Sequence, residues 1–198
     1  MKLTESFYIR RNVTTIARQL LGKILKTKIN NQVTSGIIVE TEAYSDKERG
    51  SHAFKGMTKR NEVMYERGGS AYVYLCYGVH EMFNVVTNDE GEADAILIRA
   101  LEPLDGIETM LKRMGTNSLK RITSGPGKLT KALGIDRKLN GEKLTKDKIW
   151  IEDRGIKISS AKIISSPRIG IDYAGEDALL PWRFTIKENK WISKKVIS

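Results

Sequence analysis

Glutamates and a tyrosine at alternating positions are the first residues of this chain that could do chemistry. The stretch GIIVETEAY is rich in β-branched and apolar residues and predicts a strand. Because side chains alternate across a strand, Glu40, Glu42 and Tyr44 should share one face. A carboxylate there could serve as a general base, although strand carboxylates are more often solvated or salt-bridged. Spacing alone does not choose between Glu40 and Glu42.

The stretch AYVYLCYGVHEMFNVV predicts a second functional element, two strands that turn at Tyr77 and Gly78. Tyr72 and Tyr74 share a face and could simply fill the core, with their hydroxyls reaching polar partners at its rim. Tyr77 lies beside the turn glycine, where a hairpin tip has little core to enter. On a basic protein, an aromatic residue there is typical of a wedge pushed between the base steps of a duplex.

The charge of the chain favours a nucleic-acid partner. Its 198 residues include 34 Lys and Arg against 24 Asp and Glu, a formal net charge of +10. Such an excess favours polyanions, either nucleic acid or an acidic membrane surface. A wedge is useful where chemistry must reach a base, because the nucleotide has to leave the stack first. The residues by themselves therefore predict a basic domain that binds nucleic acid.

The cysteine and histidine content excludes several classes of protein. Cys76 is the single cysteine and the only histidines are His52 and His80, so an internal disulfide, a structural zinc site and a zinc nucleobase deaminase are all excluded. The chain has no apolar run near the ~20 residues of a membrane-spanning helix, and its start lacks the apolar region of a signal peptide. We expect a cytoplasmic monomer that binds no membrane, metal or cofactor.

The remaining patterns predict an α+β domain of antiparallel strands and helices. They indicate helices over 13–25 and 107–114, a loop over 45–69 with one helical turn, a strand over 95–103, a hairpin over 149–159 that turns at Asp153 to Gly155, and a loop and strand within 166–184.

The stretch GPGKLTKALGI predicts a glycine turn that leads into a helix. It lacks the GxxxxGK[ST] order of a P-loop, so nucleotide hydrolysis is a poor interpretation. Lys128 and Lys131 in the first turns could hold a DNA phosphate together with the backbone N–H groups. An ordinary helix start explains the pattern equally well.

Six blocks of the sequence together resemble the alkyladenine (3-methyladenine) DNA glycosylase family of the mammalian type. They run in order between Arg18 and Phe184 and are IVETEAYSDKERGSHAF, KRNEVMY, AYVYLCYGVHEMFNVV, ILIRALEPLDG, GPGKLTKALGI and SPRIGIDYAGEDALLPWRF. The family removes alkylated and deaminated purines from duplex DNA without a metal. The resemblance implies one domain over residues 1–198, with a curved antiparallel β-sheet, flanking helices and a protruding β-hairpin that inserts into DNA.

The resemblance also implies roles for individual residues. It makes Glu42 the general base, and Tyr44, His52 and Tyr74 the residues that sandwich the flipped base. It further implies intercalation by Tyr77 in the minor groove, exclusion of normal guanine by Asn84, and a phosphate contact by Arg99.

Three positions depart from the family's usual pattern, namely Lys59, Arg67 with Gly68, and Glu81. They leave loop geometry and substrate range open, and Glu81 could weaken DNA contact by charge repulsion. A bifunctional glycosylase and lyase would need a lysine nucleophile, and the resemblance matches no lysine to that role. A non-catalytic module that binds damaged DNA by the same wedge remains the alternative, since only turnover separates it from an enzyme.

Overall fold

The strands of this chain pair antiparallel into one curled sheet within residues 1–195, the part that the computed structural model describes. They are β1 (Ile24–Ile29), β2 (Gln32–Tyr44), β3 (Ala71–Cys76), β4 (His80–Thr87), β5 (Asp94–Pro103), β6 (Ile149–Glu152), β7 (Ile163–Ser166) and β8 (Arg183–Ile186). Their order in the sheet is β3-β4-β5-β2-β1-β6, with β8 also paired to β2, and β7 paired to β8. Strand β2 therefore lies at the centre of the fold.

Short helices accompany this sheet. Among the described residues, the α-helices are α1 (Glu5–Tyr8), α2 (Val13–Leu20), α3 (Ile107–Met114) and α4 (Pro126–Leu133), and 3₁₀ helices span Glu62–Tyr65, Arg137–Leu139, Ser160–Lys162 and Asp172–Leu179. None of these helices is both long and apolar enough to cross a membrane. The combination of an antiparallel sheet with separate helices confirms the predicted α+β class.

Strand β2 has neighbours on both sides where the glutamates lie. On one side it pairs with β5 from Gly36 to Tyr44, with a shift in register beside Glu40. On the other side β1 pairs with residues 32–37, and β8 pairs with residues 40–42. Pairing on both edges places Glu40 and Glu42 in the interior of the sheet, and both residues are fully buried.

Helix α2 packs against the face of β2 opposite the glutamates. The side chain of Asn12 caps its first turn by accepting a backbone N–H at 2.9 Å. Ile16 and Leu20 of the helix are fully buried, and each such side chain contributes roughly 1.5–3 kcal/mol of hydrophobic free energy. The hydroxyl of Thr41 donates to the carbonyl of Ala17 at 3.0 Å. These contacts hold β2 in place through the face opposite the glutamates.

The predicted helix over 13–25 is too long at its C-terminal end. Helix α2 ends at Leu20, and Gly22 then takes a left-handed conformation with φ of 83°, which a glycine adopts without steric cost. The apolar Ile24 and Leu25 belong to β1. Their spacing fits a continued helix only by coincidence.

The predicted hairpin over 149–159 is wrong in its second half. Strand β6 forms and pairs with β1. The N–H of Gly155 donates to the Asp153 carboxylate at 2.8 Å, but the chain does not turn back at residues 153–155, and residues 156–159 form no strand. The N-terminus forms an isolated antiparallel bridge with β6 at Lys2, and this occupies the edge that a second hairpin strand would need.

The other predicted elements are confirmed. They are the long loop 45–69 with its single 3₁₀ turn, the strands that flank Tyr77 and Gly78, and elements β5, α3, α4 and β8. Strand β7 and the 3₁₀ helix after it were not anticipated from the sequence, since neither has a clear hydrophobic period.

Loop 45–69 is tied to the sheet by the buried side chain of Arg168. The guanidinium donates to both carboxylate oxygens of Glu48, at 2.6 and 2.8 Å, and to the carbonyl of Ala43 at 2.9 Å. Glu48 in turn accepts the N–H of Gly50 at 2.7 Å. One ion pair thus connects the loop to the end of β2.

Replacing Arg168 should be strongly destabilising. We expect Arg168→Met to lower the free energy of unfolding by about 3–5 kcal/mol in chemical denaturation, because Glu48 stays buried without its cation. Arg67→Met is the control, since Arg67 and its partner Glu5 have side chains 52% and 56% exposed and such pairs contribute at most about 1 kcal/mol. Similar losses from the two variants would contradict this expectation.

Asp94, at the start of β5, carries a carboxyl group whose protonation depends on folding. Burial raises the pKa of Asp94 from 3.8 to about 6, opposed by a hydrogen bond from Ser45 and reinforced by the negative charge of Asp46. The folded state therefore binds the proton more tightly than the unfolded chain. Stability contributed by this group is lost as pH rises from about 4 to about 6.

Removing this charge should stabilise the protein only at neutral and higher pH. We expect Asp94→Asn to raise the free energy of unfolding by about 1–3 kcal/mol near neutral pH and to have little effect below about pH 4. Urea denaturation at both pH values tests this, with Asp89→Asn, at an exposed position nearby, as the control. A gain that does not vary with pH would count against the assigned cause.

Candidate active site

A cleft of about 490 Å³ gathers most of the residues singled out from the sequence. Its lining includes Tyr44, His52, Tyr74, Tyr77, Asn84 and Arg99, together with residues that follow β7. These residues come from β2, the long loop, the β3–β4 hairpin, β5 and the segment after β7, so the fold brings five separate segments together at one site. The predicted residues Glu42 and Lys128 do not line the cleft.

Glu42 lies directly behind the cleft wall, with 0% of the residue exposed. Its carboxylate accepts the hydroxyl of Tyr44 at 2.9 Å, an N–H of Arg99 at 3.0 Å and the backbone N–H of Ile169 at 2.8 Å. All three donors belong to residues that line the cleft. A carboxylate has about four acceptor positions, so one remains for a further partner such as water.

Glu40 is equally buried and accepts four hydrogen bonds, three of them on one oxygen. It accepts from Arg99 at 3.1 Å, from Arg183 at 2.8 Å, and from both the hydroxyl and the backbone N–H of Ser193. None of its contacts faces the cleft except through Arg99. The two glutamates that spacing left equivalent therefore differ in their partners, since all three donors to Glu42 line the cleft and only Arg99 among the donors to Glu40 does.

Arg99 is almost wholly engaged within the protein. Its guanidinium bridges Glu40 and Glu42, and only 9% of the side chain is exposed. Burial alone would lower the pKa of Arg99, but the charges of Glu42 and Glu40 raise it overall, so it remains a cation. The predicted phosphate contact is not tested by this arrangement and stays a prediction.

Tyr44 holds its hydroxyl on the Glu42 carboxylate. Burial, followed by the negative charge of Glu42, raises the pKa of Tyr44 well above its usual value of 10, so the phenol stays protonated and donates. The guanidinium of Arg168 lies 4.7 Å from the centre of the Tyr44 ring, a cation–π contact that fixes the ring.

Three aromatic rings form a continuous wall of the cleft. The ring centres of His52 and Tyr74 are 4.5 Å apart, and those of Tyr72 and Tyr74 are 5.3 Å apart. The Nδ1 atom of His52 lies 3.0 Å from the hydroxyl of Tyr72. Desolvation, followed by the positive charge of Arg60, lowers the pKa of His52 from 6.5, so the imidazole is neutral at pH 7.

Asn84 and Lys128 occupy very different surroundings. Asn84 is 4% exposed, and its amide donates to the carbonyl of Tyr72 at 3.2 Å, which holds it in the cleft wall. Lys128 is exposed in the first turn of α4, and Pro126 at the start of that helix lines the cleft. The charge of Lys128 is thus near the cleft mouth but outside it.

Tyr77 occupies a position that neither packing nor local conformation favours. It is 90% exposed and its φ is 50°, in the left-handed region, where a bulky side chain is uncommon and costs of order 1–3 kcal/mol. The N–H of Val79 donates to the carbonyl of Cys76 at 3.1 Å and closes the turn. A strained, exposed aromatic residue indicates a functional requirement.

Helix α4 supports the hairpin that carries Tyr77. The hydroxyl of Thr130 donates to the carbonyl of Glu81 at 2.9 Å, and Arg137 pairs with the Glu81 carboxylate at 3.1 Å. A Cβ atom on Gly127 would lie 2.9 Å from the His80 side chain, so a glycine is needed for this close packing. The unusual Glu81 is therefore neutralised by a neighbour.

Several residues of the cleft were not predicted from the sequence. Arg60 and Tyr173 line the cleft, and the N–H of Ile169 holds Glu42, yet all three lie in segments interpreted as loops. Backbone donors and contacts between distant loops leave no periodic pattern. The only feature of the sequence that could have indicated these residues is the presence of a charged or aromatic side chain in a long loop.

Comparison with known proteins places the chain in a family. The family described as Methylpurine-DNA glycosylase (MPG) matches residues 6–190. Proteins named "Putative 3-methyladenine DNA glycosylase" are similar throughout: one from Carboxydothermus hydrogenoformans is 47% identical over 195 residues, covering 98% of this chain and 100% of the relative. One from Chlamydia felis is 44% identical over 198 residues, with 98% and 100% coverage. The chain therefore belongs to the methylpurine-DNA glycosylase family.

Proposed function

We propose that the protein, by its family a 3-methyladenine DNA glycosylase of base excision repair, flips damaged purines from duplex DNA into the cleft and hydrolyses their N-glycosidic bonds. The proposed substrates are 3-methyladenine, 7-methylguanine, hypoxanthine and ethenoadenine, and the proposed catalytic unit is a single domain over residues 1–198. The Glu42 carboxylate carries this proposal, because it is buried beside an aromatic cleft with one acceptor position free.

Glu42 suits the chemistry of glycosidic cleavage. Breaking the bond develops positive charge on the sugar, so a carboxylate near C1′ stabilises the transition state. The free acceptor position lets the same carboxylate orient a water and take its proton as the oxygen attacks. The three existing hydrogen bonds hold the group in one orientation, so little reorganisation is needed during the reaction.

The cleft wall suits an alkylated purine. Such a base carries a positive charge before cleavage, and the faces of Tyr44 and Tyr74 can each attract it by about 0.5–2 kcal/mol. His52 adds a third face that is neutral at pH 7 because its pKa is lowered, so it does not repel the cation. The positive charge also makes the base a good leaving group, which reduces the need for a general acid.

The same geometry favours hydrolysis by water. No lysine lines the cleft in the described part of the chain, so a lysine amine is not positioned to attack the sugar as a lyase nucleophile. A module that only binds damaged DNA would not need a buried carboxylate with a free acceptor position. Turnover by the wild type therefore separates the proposed enzyme from this alternative.

The decisive variant is Glu42→Gln, which keeps the shape of the side chain and removes its charge. We expect base release from a duplex with one ethenoadenine or hypoxanthine to slow by roughly 10²–10⁴-fold, because the general base is lost. Binding of the same duplex, measured by fluorescence anisotropy, should persist. Single-turnover kinetics measures the release.

The matched control is Glu90→Gln, a charge change at an exposed position away from the cleft. It should release the base at the wild-type rate. Wild-type turnover in Glu42→Gln would remove Glu42 from the proposed mechanism, whereas a wild type that binds but never releases a lesion would leave the binding module as the better description.

Tyr77→Ala should weaken binding of damaged DNA without loss of the fold. We expect a loss of about 1–3 kcal/mol in binding free energy, because a stacking ring is removed. The thermal midpoint should not fall, since the side chain is 90% exposed. Tyr77→Asn provides a second test, because asparagine tolerates the left-handed turn; an unfolded variant or unchanged affinity in both would contradict the proposed insertion.

A further inference from the structure

Tyr173 is a large aromatic residue at the cleft that the proposed mechanism does not use. It lies on the 3₁₀ helix Asp172–Leu179, is 71% exposed and lines the cleft. Its hydroxyl donates to the carbonyl of Gly50 at 3.2 Å, two residues before His52. The ring therefore stands at the rim of the cleft, above the loop that supplies part of the aromatic wall.

The ring contributes little to the folded core. Tyr173 is absent from both clusters of buried apolar residues found among residues 1–195, and its single hydrogen bond could be replaced by water. Exposed aromatic rings with a polar tip are typical of binding surfaces, where they supply contact area at low entropic cost. Packing within the protein does not explain this residue.

Tyr173 shares its surroundings with the hairpin tip. Tyr77 and Cys76 of the hairpin line the same cleft as Tyr173. Tyr77 and Tyr173 are thus exposed aromatic residues on two different segments that border one cleft. A nucleotide that enters the cleft beside Tyr77 has to bring its sugar and phosphates past this rim.

We propose that Tyr173 is a DNA-binding residue whose ring packs against the deoxyribose of the flipped nucleotide and its attached backbone at the cleft rim. The inference rests on the proposed base flipping but not on catalysis by Glu42. Contact with a sugar is apolar, so it should add affinity without neutralising a phosphate. It should also persist when the flipped nucleotide has no base.

The test compares Tyr173→Ala and Tyr173→Phe with the wild type on a duplex that contains a tetrahydrofuran abasic analogue. Tyr173→Ala should bind roughly tenfold or more weakly, because the ring is lost, whereas Tyr173→Phe should stay within about twofold. Leu179→Ala is the control, since Leu179 is 73% exposed in the same 3₁₀ segment, beyond its kink at Gly175, and does not line the cleft; it should bind as the wild type does.

Salt dependence and stability give two further readouts. The slope of log affinity against log salt should be unchanged in Tyr173→Ala, whereas Lys128→Ala should reduce it by about 1 if that lysine contacts a phosphate. The thermal midpoint of both Tyr173 variants should match the wild type. A large fall in the midpoint would place the ring in folding and overturn the inference.

Other outcomes are equally decisive. The inference is wrong if Tyr173→Ala binds with wild-type affinity. It is also wrong if Tyr173→Phe loses as much affinity as Tyr173→Ala, because the effect would then come from the hydrogen bond with Gly50. If the wild type binds the analogue but releases no damaged base in the base-release assay, the proposed catalysis is contradicted. The comparison of the Tyr173 variants then remains valid. If the wild type does not bind the duplex with the abasic analogue, both the proposed base flipping and the proposed role of Tyr173 are contradicted.

Discussion

The burial of two glutamates on the central strand is the constraint on which the site depends. Moving a carboxylate out of water costs several kcal/mol unless a cation and hydrogen-bond donors replace the lost solvation. Strands β5 and β8 flank β2 at this point, and each supplies an arginine, Arg99 and Arg183. Sheet formation and charge compensation are therefore one event, since the strands that exclude water also carry the cations.

This network also separates the roles open to the two carboxylates. Glu40 is held by two arginines and by Ser193, so it helps to fix the position of Arg99, and neither Arg183 nor Ser193 lines the cleft. Glu42 shares Arg99 but receives its other hydrogen bonds from neutral donors. The residues that donate to Glu42 all line the cleft. The Glu40 side of the network thus holds Arg99 in place, and Arg99 in turn holds Glu42, which suits the preorganised general base that we propose.

The sequence predicted the parts of this architecture that depend on local patterns. Alternation on β2 placed Glu40, Glu42 and Tyr44 on one face, and the turn glycine located the exposed tip at Tyr77. Local patterns gave a wrong prediction where two distant segments could pair with the same strand edge. The N-terminus pairs with the edge of β6 at which residues 156–159 were expected to form a strand. They also cannot show the full burial of Glu42, because that burial is produced by two strands far along the chain.

The electrostatics of the cleft follow from how the charges are placed relative to its wall. The negative charge of Glu42 lies behind the cleft wall at Tyr44, and the cation nearest to it, Arg99, is already bridged to both glutamates. Arg60 opposes this field, because its guanidinium lies 5.6 Å from the centre of the Tyr74 ring. Arg60 is exposed, however, so water screens its charge more than that of the buried Glu42. The side of the cleft that Glu42 backs is therefore the side that favours a cationic base, and in the mechanism that we propose a damaged purine gains this attraction only after it has left the duplex.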